Sequence, residues 1–200
     1  MRRLILPVLL AVAVAVPALA ALKQGDKAPE FSAKASLAGK EFQYSLQDAL
    51  KMGPVVVYFY PSAFTGGCNI EAHTFAENKE KFDAAGATII GVSSDSIERL
   101  NAFSSDPQYC AGKIPVASDP DGSIAKAYGL KQGAHKPGMK DSRGMDIDHD
   151  FTERTTFVVK KDGTIAATLS SADDKISPAE HVEKSLAVVQ GLGGGSGAGE

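Results

Sequence analysis

The chain has 200 residues, 44% of them hydrophobic and 22% charged, with a formal charge of −3 and no basic stripe, which argues against nucleic acid as a partner. That length suffices to bury a core without disulfide staples. Only two cysteines occur, Cys68 and Cys110, and in an oxidising compartment they could persist as a disulfide, so a structural staple is one open reading.

The chain opens on the basic Met1-Arg2-Arg3, continues through the apolar Leu4 to Val16, and reaches the small-x-small pattern Pro17-Ala18-Leu19-Ala20. These are the three parts of a secretory signal, expected over residues 1–20. The apolar run is shorter than the ~20 residues of a membrane span, so an anchored N-terminus is disfavoured. Cleavage after Ala20 leaves 180 residues with a formal charge of −5. These are expected to form one soluble domain over residues 21–190, followed by a flexible glycine-rich tail, "GLGGGSGAGE", over residues 191–200. Export points to the periplasm, with the thylakoid lumen or secretion as alternatives.

"VVVYFY", Val55 to Tyr60, is a continuous apolar β-prone run, the signature of a strand buried on both faces. Gly66 to Ala85 follows as a helix in which Cys68, Ala72, Phe75 and Phe82 share one face. Ala87 to Ser94 is a second buried strand, and Ser96 to about Ser104 a helix with Ile97, Leu100 and Phe103 inward. "IPVAS" is a short strand, "DPDG" a turn and "SIAKAYGL" a short helix. Lys131 to Thr152 lacks periodicity and is expected to be a long surface loop. Arg154 to Lys160 and Thr164 to Ser170 flank "KDG", a hairpin signal. The last helix starts with Ser177 as N-cap and Pro178 at its first position. This order fits a thioredoxin-like α/β sandwich, a central mixed β-sheet with helices on both faces.

Cys68 falls one tight turn after a buried strand, in the first turn of a helix. Unpaired N–H groups and the positive end of the helix dipole favour an anion there, hence thiolate over thiol. Gly66 and Gly67 let backbone donors approach closely, Pro61 stiffens the strand exit, and Thr65 brings a hydroxyl three residues before the sulfur. Glu71, three residues after Cys68, is its neighbour on the next turn. A carboxylate so near the thiol opposes its ionisation unless a cation offsets it, so the pair predicts an arginine in the pocket.

Pro61-x-x-x-Thr65-x-x-Cys68 resembles the peroxiredoxin active-site motif, with Glu71 where many members have a glutamate. "ERTTFVV" resembles the segment that holds the family's active-site arginine, here Arg154, and "GDKAPEF" resembles the opening of the mature proteins. "SDPDGSIAKAYGL" is similar to the peroxiredoxin Q subfamily, also called bacterioferritin comigratory protein. The resemblance runs from about Gly25 to Leu192. It implies a thiol peroxidase for hydrogen peroxide and organic hydroperoxides, in which Cys68 attacks the near peroxide oxygen and becomes a sulfenic acid. Donors fixed on both oxygens lower the barrier, work the resemblance assigns to the Thr65 hydroxyl, the Cys68 N–H and Arg154. Glu71 would orient Arg154, and Pro61 would shield the sulfenic acid. No cofactor or metal enters this scheme.

Many peroxiredoxin Q chains carry a resolving cysteine five residues after the first, a position held here by His73. Others place it shortly before the next strand, and "QYCAGKIPVASD" resembles that arrangement with Cys110. Cys110 would then close an intramolecular disulfide after both segments loosen, to be reduced by a thioredoxin-like donor; the alternative is a one-cysteine enzyme with Cys110 a spectator. The resemblance also suggests a monomer. Two other classes are weighed: a thioredoxin-fold disulfide exchanger, disfavoured because Thr65 leaves no Cys-x-x-Cys, and a metal carrier using Cys68 with His73. "DIDHD", Asp146 to Asp150, reads as a solvated charged loop in which His149 has no partner at a diagnostic spacing.

Overall fold

The computed structural model describes residues 20–193; the expected leader, apart from Ala20, and the tail beyond Gly193 lie outside them. In chain order the elements are β1 (Ser32–Leu37), β2 (Lys40–Ser45), α1 (Leu46–Met52), β3 (Val55–Phe59), α2 (Gly66–Ala84), β4 (Thr88–Ser93), α3 (Ile97–Ser105) and β5 (Val116–Ser118). They continue with α4 (Ser123–Ala127), β6 (Gln132–Gly133), β7 (Phe151–Thr152), β8 (Thr155–Val159), β9 (Ile165–Ser170), α5 (Ser171–Asp174) and α6 (Pro178–Gly193). Every element expected from the sequence is present to within a few residues. The final helix runs through Gly191 to Gly193, into the stretch expected to be tail.

The seven-stranded sheet has the order β2-β1-β5-β4-β3-β8-β9. β3, β4 and β5 pair in parallel at its centre, and the outer pairings are antiparallel, so the sheet is mixed. The fully buried β3 sends Val55, Val57 and Phe59 into one core and Val56 and Tyr58 into the other, the period-two alternation of a strand between two layers. One core holds the buried faces of α2, α3 and α6 together with both cysteines; the other takes α1 and α4. No helix among the described residues is long and apolar enough to cross a membrane.

The local chemistry agrees with these boundaries. Ser177 and Glu180 cap each other at the start of α6, a reciprocal capping box. In the β8–β9 turn, Gly163 takes φ +79°, as the Asp-Gly signal predicts.

Four elements went unassigned in the sequence besides those of the Lys131 to Thr152 segment: β1 and β2, which form a hairpin, α1, and the short α5. The Lys131 to Thr152 segment is also more than a loop. β6 pairs with β7, Lys140 bridges to Asp146, and Asp141 and Ile147 are buried.

Candidate active site

The turn from β3 to α2 runs from half-buried Pro61 to Thr65, which caps α2 with extended backbone (φ −115°, ψ 150°). The Thr65 hydroxyl donates to the Ser62 carbonyl at 2.7 Å and makes no side-chain cap bond. In this arrangement the carbonyl takes the hydroxyl proton and the oxygen keeps lone pairs able to accept. Cys68 is the third residue of α2 and 2% exposed, with no acidic side chain in the first turn to compete for the helix-end donors.

Arg154 precedes β8, in the link from β7, instead of lying within the strand. Its Nη2 donates to Cys68 Sγ at 3.2 Å, and its Nη1 donates to Glu71 Oε2. The predicted cation is thus in place, held on a core-facing carboxylate that is fully buried. Burial pushes the Glu71 carboxyl up to about 7, against the pull of the Arg154 charge and hydrogen bond. Burial also opposes the Arg154 charge, but Glu71 and Cys68 outweigh it and hold the guanidinium above its ordinary value. Gly67 makes room for this contact. A Cβ there would lie 3.1 Å from Arg154 Nη2 and 3.2 Å from Pro178 Cγ, so glycine lets the guanidinium and the start of α6 close over the helix.

Phe64, just before Thr65, is a buried non-glycine residue at φ +60°, a left-handed conformation that costs roughly 1–2 kcal/mol. Its surroundings hold it there. The Arg143 guanidinium sits 3.3 Å from the ring centroid, Phe103 and Tyr109 pack edge-on at 5.0 and 5.7 Å, and the Phe64 carbonyl accepts from Ser142 N at 2.9 Å. The segment between β6 and β7 therefore covers the active-site turn.

A buried polar network that sequence spacing did not reveal secures the same turn. Asp95 accepts from Ala63 N and Ser93 Oγ, both at 2.7 Å, from Ser62 Oγ at 3.0 Å, and pairs with His149 Nε2 at 2.8 Å. Arg99 forms ion pairs with Asp95 and Asp141, each at 2.8 Å, and donates to the Ala63 carbonyl. Burial disfavours the charge on Asp95, yet His149 and the surrounding donors keep its carboxyl below the usual range. Burial likewise depresses His149, but Asp95 more than offsets this and raises it. Far from being a solvated charge, His149 is the clasp between the covering segment and the turn. Ser62 and Asp95 both meet its Nε2, so the three do not form a hydrolase relay, which needs opposite ring nitrogens.

Cys110 sits beyond α3 in a turn whose next two residues, Ala111 and Gly112, have φ +53° and +67°. It is fully buried, and burial together with Asp106 pushes its thiol up, so in this fold it stays protonated. Both cysteines are free, sharing one core with Tyr58 and Tyr60, whose hydroxyls burial pushes up. His73 does not join Cys68. It lies on the exposed side of α2, paired with Glu77 at 3.3 Å, which removes the basis for a Cys68–His73 metal site.

The sequence profile of the AhpC/TSA family matches residues 24–168. A Mycobacterium tuberculosis protein named as a peroxiredoxin is 34% identical over 163 residues, 82% of this chain and 92% of the relative. Among solved structures, the peroxidoxin BcpB of Mycobacterium tuberculosis superposes with a TM-score of 0.70 at 27% identity, over 86% of this chain and 98% of that one. Peroxiredoxin Q of Xanthomonas campestris gives 0.62 at 29% identity, over 80% and 90%.

Proposed function

This chain belongs to the AhpC/TSA family, and from that premise we propose how its thiol-dependent peroxidase chemistry is carried out. Cys68 is the attacking sulfur. Its thiolate attacks the near oxygen of a hydroperoxide: the S–O bond forms, the O–O bond breaks, and sulfur is oxidised by two electrons to the sulfenic acid. The far oxygen leaves with a proton as water or alcohol. The single observation that carries this assignment is the Arg154 guanidinium donating to Sγ while anchored on buried Glu71. A donor fixed there before reaction can stabilise charge as it moves along the S–O–O line without reorganising. Thr65, with its proton given to Ser62, accepts from the peroxide O–H and aligns it.

Resolution falls to Cys110. Its thiolate attacks the Cys68 sulfenic sulfur, the S–S bond forms and hydroxide leaves as water after taking a proton. A thioredoxin-like dithiol then reduces the disulfide. The burial and protonation of Cys110 support a cycle in which its turn must open first. The protein works as an exported monomer, its leader removed after Ala20. The close packing of Leu22 N on the Tyr128 carbonyl at 3.2 Å supports a domain that begins directly after that point.

Intact-mass measurement after one equivalent of hydrogen peroxide tests this reading. Loss of two hydrogens is the expected result, and Cys68→Ser should consume no peroxide. An unchanged mass would overturn the peroxidase assignment, whereas a lasting gain of one oxygen would overturn only the role of Cys110.

A further inference from the structure

His181 in the first turn of α6 is fully buried, yet nothing in the peroxide reaction uses it. Both ring nitrogens are occupied: Nδ1 lies 2.9 Å from Thr156 Oγ1 and Nε2 lies 2.8 Å from Ser171 Oγ. Thr156 is on β8, two residues after Arg154, and Ser171 N donates to the Arg154 carbonyl at 3.2 Å. The imidazole thus closes a ring of bonds around the Arg154 backbone. On the same helix, Pro178 packs near the guanidinium against Gly67. One side chain therefore ties α6, β8 and the β9–α5 junction together at the residue that meets Cys68.

We propose that His181 is a positioning residue for Arg154: as a neutral imidazole bonded on both sides, it holds the arginine's backbone and the α6 wall so that the guanidinium faces Cys68 and Glu71. The inference rests on Arg154 serving Cys68 as set out above. Neutrality is part of the design. Two hydroxyls satisfy either tautomer of an uncharged ring, because each can donate or accept. A second cation would repel the arginine. Burial first, then the Arg154 charge, lowers His181 to about 4, while Asp174 and Glu180 pull the other way. A hydrophobic side chain of similar size would fill the space but leave the Thr156 and Ser171 hydroxyls without this partner. The polar contacts rather than the volume are what position the arginine.

The test compares His181→Phe, which keeps volume and removes both bonds, with His181→Asn and Thr156→Val. Two rates are read on folded protein at pH 7: peroxide consumption, and alkylation of Cys68 by iodoacetamide in a Cys110→Ser background. Melting temperature is recorded alongside. Both rates should fall about tenfold in His181→Phe and by a smaller factor in Thr156→Val, and His181→Asn should recover part of the loss. A merely structural role would lower the melting temperature and leave both rates per folded molecule unchanged, which would overturn the proposal. If His181→Phe does not fold, Thr156→Val decides: unchanged rates in it defeat the proposal. Wild-type protein that alkylates rapidly but consumes no peroxide would refute the peroxidase reading, while the alkylation rates would still judge His181.

Discussion

Glu71 brings a carboxylate to the core side of α2, one turn beyond Cys68, and its partner there is Arg154. Because its folded value is raised to about 7 from 4.5, the folded state holds a proton between those values that the unfolded chain has released. Taken alone this makes stability decline as pH rises from about 4.5 to 7, whereas His181, lowered from 6.5 to about 4, contributes the opposite slope between those values, so the two largely cancel in wild type. Urea denaturation across that range should show a nearly flat profile in wild type and a rise of stability with pH in Glu71→Gln, where only the His181 contribution remains. The same substitution keeps a hydrogen-bond acceptor for Arg154 but removes the charge that fixes it, so at pH 8, where the Glu71 carboxylate is ionised, peroxide consumption should fall about tenfold, most of the effect of a misplaced donor. Gly67 yields a second residue-level test. Gly67→Ala should not weaken the helix, since alanine is the better helix former. Its Cβ would push on the guanidinium at 3.1 Å, so the rate should drop several-fold while the melting temperature stays level or rises. By spacing alone, a carboxylate one turn beyond Cys68 could serve the site or only the helix dipole. Complete burial is what separates the two roles.

At the scale of elements, the segment between β6 and β7 is clasped to the β3–α2 turn by His149, Asp141 and Arg143. His149 is raised in the fold, so its pairing with Asp95 contributes stability that is full below the unfolded value of about 6.5 and is lost as pH rises through the folded value. His149→Gln should flatten the stability profile above about pH 6.5, and limited proteolysis at pH 6, where the wild-type pair is at full strength, should cut residues 134–150 faster than in wild type. Equal cleavage in both proteins would remove the clasp. The elements missed in sequence share a physical cause. β2 is an edge strand, exposed over Lys40 to Gln43, and β1 buries only the small Ala33, Ala35 and Ser36, so neither carries a strong apolar rhythm. Their turn places Ala38 at φ +51° ahead of Gly39, and no Asn-Gly or Asp-Gly pair marks it.

For the molecule as a whole, the two thiols lie in one core but are prepared differently. Cys68 stands at a helix start against a fixed cation; Cys110 is a protonated thiol under aromatic cover from a different turn. Phe64 joins the two, since it precedes Thr65 and packs on Tyr109, the neighbour of Cys110. Under the proposed cycle, a disulfide between them would draw on this Phe64–Tyr109 packing. Cys110→Ser should leave the first peroxide turnover intact, block the intramolecular disulfide and stop recycling by a dithiol donor. Normal recycling in that variant would make Cys110 a spectator.

The motif Pro61-x-x-x-Thr65-x-x-Cys68, the buried strands and the helix that follows were legible by themselves because they rest on local rules: strand burial, turn residues and the chemistry of a helix start. Arg154 was legible only through resemblance, for nothing local distinguishes it from any strand-edge cation. Asp95 with His149, and His181 with Thr156 and Ser171, became visible only in three dimensions. Their partners are brought together by sheet order and helix packing, and across such separations a chain's one-dimensional spacing holds no record of which polar groups will be buried face to face.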